Sequence, residues 1–175
     1  MDAEFRWETD APLATLLVLI VTNLETSLLM PAQPARVLIV ANRTATSPAL
    51  LDTIRRRASA GPATFHLLVP AEPHGLHRVV DPEVAGREEA QARLRVALPL
   101  LAEATGAPVA ASVGDADPVS AISDALQLLG FDESVISTLP RRLSRWLRLD
   151  LPSKVRAFGL PVVHVEIEET PALAA

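Results

Sequence analysis

The chain of 175 residues contains no cysteine, which excludes disulfides, thiolate metal sites and cysteine nucleophiles. Its length and its 49% hydrophobic content allow one ordinary core without such staples and favour a single domain. Lysine is nearly absent, since fifteen of the sixteen basic residues are arginine. With abundant alanine and proline, that bias points to a GC-rich bacterial genome and carries no functional weight. A membrane-spanning run is also missing. The apolar segment at 12–21 is ten residues long, about half of what a bilayer requires. Its preceding flank carries Asp2, Glu4, Glu8 and Asp10 against Arg6 alone, the wrong sign for a secretory signal. The expectation is a cytoplasmic protein whose residues 1–34 form an extension, with the apolar segment packed on its own domain or on a second subunit.

Charge narrows the partners. Sixteen basic against twenty-one acidic residues leave a net charge of −5, so the general surface does not attract nucleic acid or anionic membrane. The basic residues are nevertheless concentrated. Arg141, Arg142, Arg145, Arg148, Lys154 and Arg156 fall within one stretch opposed only by Asp150, a local anion site on an acidic molecule. A DNA-binding role would rest on that cluster alone.

Five strand-like and four helix-like segments alternate along 35–167, leaving 168–175 as a tail. Residues 36–41 (Arg-Val-Leu-Ile-Val-Ala) form a continuous apolar, β-branched run, the pattern of a central parallel strand covered on both faces. Ser47-Pro48 supplies an N-cap and first-turn proline for a helix that Gly61 stops. A second strand follows at 64–69, then a turn-rich loop from 70 to about 82. Residues 87–104 keep helical spacing with Pro99 inside. A weak strand at 108–113 precedes Asp117-Pro118, which caps a helix ended by Gly130. Strands at 131–137 and 161–165 flank a helix at 152–158. Such alternation predicts a doubly wound α/β domain, a mainly parallel sheet with helices on both faces and a crevice beyond the carboxyl ends of strands one and four.

The stretch Gly114-Asp115-Ala116-Asp117-Pro118-Val119-Ser120-Ala121-Ile122, where a strand ends in glycine and a proline-containing turn opens a helix, resembles the universal stress protein family. The ending Lys154-Val155-Arg156-Ala157-Phe158-Gly159-Leu160-Pro161-Val162-Val163-His164-Val165 is similar to that family's last helix and strand. The likeness covers about 35–166. It implies strand order 3-2-1-4-5, a stress-response module, homodimers made through the last strand and, in one subclass, ATP binding. ATP binders of the family carry G-x2-G-x9-G-[ST] after strand four, where glycine amides approach the phosphates. Here the matching stretch, from about Thr138 to Asp150, has no glycine, and the family's acidic residue after strand one is replaced by Asn42. The resemblance therefore implies a regulatory or assembly module that is not a conventional ATP binder, with no cofactor expected.

The arginines leave another route, because guanidinium forks bind phosphate without a backbone cradle. The alternative is thus a small-molecule binder that recognises a nucleotide or phosphorylated metabolite through Asn42, Gly114, Ser137, Thr138, Arg141 and Arg145. If the turn were helical, Arg141, Arg145 and Arg148 would share a face; otherwise it is a solvated basic turn with Trp146 against the core. His74 and His77, near Glu72 and Asp81, lack a compelling third ligand, so no metal is expected. His66 and His164 lie in strands and are expected to be structural. No histidine–carboxylate pair is placed to activate Ser137, Thr138 or Ser144, so no catalytic residue and no enzymatic activity is expected.

Overall fold

In the computed structural model the described residues are 33–72, 82–140 and 142–167. The apolar segment at 12–21, His74, His77, Asp81, Arg141 and the tail at 168–175 lie outside them. Among the described residues, five strands occur in chain order: β1 (Ala35–Val40), β2 (Ala63–Pro70), β3 (Ala110–Gly114), β4 (Glu133–Thr138) and β5 (Val162–Glu166). They form one sheet in the order β3-β2-β1-β4-β5, and every pairing is parallel. β1 lies at the centre, with Val37 facing Phe65 on one side and Glu133 on the other. Its apolar run has this cause: Val37, Leu38, Ile39 and Val40 are completely buried, because strand alternation sends successive side chains into two different cores.

Among the described residues, five helices make those cores: α1 (Pro48–Ser59), α2 (Pro82–Thr105), α3 (Pro118–Leu129), α4 (Arg145–Arg148) and α5 (Leu151–Ala157). On one face Val37, Ile39 and Leu67 pack with Leu50 and Ile54 of α1 and Ala97 and Leu101 of α2. On the other, Leu38, Val40 and Ile136 pack with Ile122 of α3, Trp146 of α4 and Val155 of α5. Ser47 and Asp117 cap α1 and α3 through side-chain oxygens that accept from Leu50 N and Ser120 N. These caps satisfy backbone donors that the helix cannot pair itself.

Several boundaries differ from the sequence expectation. α2 begins at Pro82, five residues before the expected 87. β3 begins at Ala110 rather than 108, where Pro108 has no N–H to give to a ladder. β4 begins at Glu133, because Gly130 turns with φ 64° and Asp132 N donates to Arg36 O at 2.9 Å, so these residues form the entry turn. The basic turn holds a helix of its own, α4, separated from α5 by Asp150 in the left-handed region at φ 53°. Asp adopts that region more readily than most side chains.

Candidate functional site

The chain leaves β1 toward β2 on one side of the sheet, whereas β4 lies on the other, so the carboxyl ends of β1 and β4 diverge into a crevice. This is the switch point at which open α/β sheets bind ligands. A cleft of about 240 Å³ occupies it, lined by Asn42, Arg43 and Thr44 after β1, Glu72 after β2, and a third group from β4 through α4. That group includes Ser137, Thr138, Leu139, Leu143, Ser144, Arg145 and Trp146.

Hydrogen bonds fix the walls. Thr44 Oγ1 donates to the carbonyl of Ser137 at 3.0 Å, tying the turn after β1 to the end of β4. Asn42 Nδ2 donates to the carbonyl of Pro70 at 3.3 Å. Because a carbonyl can only accept, this bond sets the amide orientation and leaves Oδ1 as an acceptor. Ser144 Oγ accepts from Leu147 N at 3.2 Å and caps α4, and the Ser144 and Leu143 amides both donate to Pro140 O. A glycine-free turn is thereby closed by a serine cap and a proline carbonyl.

Among the buried atoms on the cleft's residues, Asn42 Oδ1, Ser137 Oγ and Trp146 Nε1 have no hydrogen-bond partner. Their residues are 6%, 1% and 5% exposed. Buried polar atoms are nearly always paired, and each one left unpaired costs about 1–3 kcal/mol. All three belong to residues that line this one cleft. Arg43 and Arg145 are exposed and, among the described residues, make no ion pair.

Four of the six residues proposed from sequence line this cleft, namely Asn42, Ser137, Thr138 and Arg145. Arg141 lies outside the described residues. Gly114 is not among the lining residues; a Cβ there would meet Ala121 Cβ at 2.6 Å and Leu68 Cδ1 at 2.9 Å, so the missing side chain lets α3 pack against β2 and β3. Arg145 and Arg148 are joined in a single helical turn. Trp146 combines core packing with a place in the cleft wall. Arg43 and Thr44 line the cleft without having been proposed for it, and Glu72, considered from sequence only beside His74 and His77 as a metal ligand, lines it too; their positions after β1 and β2 were a usable signal.

Thr138 also connects the cleft to the sheet edge, its Oγ1 lying 2.8 Å from His164 Nε2 on β5. Burial lowers the His164 pKa, with Glu166 opposing and Arg156 assisting the shift. His66 similarly contacts Ser112 Oγ at 2.8 Å, and burial lowers its pKa. Neither histidine lines the cleft. Among the described residues, no group of three or more His, Cys, Asp or Glu side chains could hold a metal ion.

Sheet order, two helical layers and a switch-point crevice define a doubly wound α/β protein. The universal stress protein fold is the particular version present: a universal stress protein family member from Burkholderia pseudomallei superposes with a TM-score of 0.55 at 17% identity, covering 77% of this chain and 98% of that one. A universal stress protein in complex with cAMP matches with a TM-score of 0.50 at 15% identity, over 76% of this chain and 98% of its own. No family model and no curated protein matches by sequence. Among the described residues, no helix is long and apolar enough to cross a membrane.

Proposed function

We propose that this protein is a regulatory module of universal-stress-protein type that binds a small molecule in the crevice between β1 and β4, and is not a conventional ATP binder. The observation that carries the proposal is the set of unpartnered buried atoms, Asn42 Oδ1, Ser137 Oγ and Trp146 Nε1, on residues that line one cleft. The cAMP complex of a protein with the same fold supports ligand binding as a use of this architecture. A triphosphate cradle is disfavoured because no glycine occurs between Gly130 and Gly159, and close backbone approach to phosphate generally requires glycine. The module acts by binding rather than catalysis.

Calorimetric titration with ATP, AMP, cAMP and a panel of phosphorylated and carboxylated metabolites tests this function. Saturable binding of a panel member, with ATP and magnesium inactive, is the expected result. Micromolar ATP binding, or no binding anywhere in the panel, would overturn it.

A second reading, self-assembly into a homodimer, is favoured by β5. This strand ends the sheet and exposes 47% of Val163, an edge that invites pairing. Light scattering at tens of micromolar is expected to give a dimer mass and Val163→Asp a monomer; a wild-type monomer contradicts this assembly.

A further inference from the structure

We propose that the cleft selects a compact hydroxylated organic anion, with a single phosphate or carboxylate group, rather than a nucleoside triphosphate. This rests on the function proposed above and specifies the ligand's chemistry. The lining groups divide by what each can still do. Asn42 Nδ2 is committed to Pro70 O, so its unpartnered Oδ1 requires a donor. Trp146 Nε1 can only donate, so it requires an acceptor. Ser137 Oγ can serve either role. Thr44 and Thr138 are already engaged, with Ser137 O and His164 respectively. A ligand satisfying this set carries a hydroxyl or N–H group together with an acceptor oxygen.

Charge and size complete the assignment. Arg43 and Arg145 are the exposed cations in the lining, and their guanidinium forks suit the two or three oxygens of a carboxylate or phosphate. The volume of about 240 Å³ falls below the roughly 300–1,000 Å³ of sites for drug-sized ligands. A single anionic group at the arginines and hydroxyls at Asn42 and Ser137 meet all three conditions.

Glycerol 3-phosphate, ribose 5-phosphate, glycerate and ATP serve as probes in calorimetric titrations of the full chain. At least one compact anion is expected to bind, and ATP to bind at least tenfold more weakly; phosphate and carboxylate forms of the same skeleton distinguish the two anion classes. Ser137→Ala is the decisive variant because it removes an unpartnered hydroxyl. Its melting temperature is expected to stay constant or rise, while affinity falls roughly two- to tenfold, the loss of one neutral hydrogen bond. Arg145→Ala should weaken binding roughly ten- to a hundredfold, as expected for a contact with a charged partner.

The proposal fails if ATP matches the compact anions, or if Ser137→Ala and Arg145→Ala both leave their affinity unchanged. Binding of AMP or cAMP with no affinity for any compact probe would also overturn this assignment while leaving small-molecule binding intact. Absence of binding by every probe and every member of the wider panel would overturn both.

Discussion

Replacing Gly114 with alanine tests whether the glycine at the β3–α3 junction serves packing or ligand approach. Gly114 does not have a positive φ, so alanine meets no backbone penalty and only steric contacts decide. The new Cβ would stand 2.6 Å from Ala121 Cβ and 2.9 Å from Leu68 Cδ1. Leu68 can rotate its methyl away, but the Ala121 Cβ is fixed to the backbone of α3 and can retreat only with the helix. Overpacking of this kind costs about 1–3 kcal/mol, and a rigid neighbour places Gly114→Ala near the top of that range. Lower unfolded-state entropy returns about 0.4–1 kcal/mol, leaving a net loss of about 2 kcal/mol. For a domain of this size that corresponds to about 4–8 °C in melting temperature. Urea denaturation should show the lower midpoint with an unchanged slope. Adding Ala121→Gly should recover part of the loss, although glycine inside a helix costs about 1 kcal/mol by itself. Wild-type stability for Gly114→Ala, or no coupling between the two substitutions, would refute the packing role.

The Arg57–Glu133 pair joins α1 to the start of β4 with side chains 23% and 22% exposed, and its hydrogen bond raises the Arg57 pKa. A double-mutant cycle through Arg57→Ala and Glu133→Gln should give about 1–2 kcal/mol of coupling, between surface and buried cases; a value near zero contradicts this. His66 and His164 both have pKa values lowered by burial, so the unfolded chain binds protons more readily. Their contribution to stability is present above the ordinary imidazole range and is lost as pH falls through the unfolded pKa of about 6.5 toward the lower folded values. Urea midpoints measured from pH 7.5 to 5.5 should decline in wild type and decline less in His66→Gln/His164→Gln, at roughly the pH range in which imidazole titrates. Equal slopes would rule out these histidines as the cause.

The scaffold was legible where local chemistry and tertiary demand coincide. The apolar run of β1 predicts its central position because Val37–Val40 must fill two cores, and Ser47-Pro48 and Asp117-Pro118 start helices through hydrogen bonds within one turn. Gly114 was less transparent: its position after a strand is visible, but the Ala121 and Leu68 contacts that require a small residue are formed across elements. The cleft is harder still. Asn42 and Ser137 could be placed from the strand ends, yet the unpartnered state of Trp146 Nε1 depends on where α4 lands against the core. A helix of one turn within a basic stretch leaves almost no periodicity to detect.

Amide NMR during titration with the tightest compact anion of the probe set tests the central claim most directly, because it locates binding without assuming a site. Saturable shifts should centre on Asn42, Arg43 and Thr44, and on Ser137, Thr138, Leu139 and Leu143 through Trp146, the two walls of the cleft. Saturable shifts centred instead on β5 or on the outer face of α1, with the cleft amides unmoved, would contradict it.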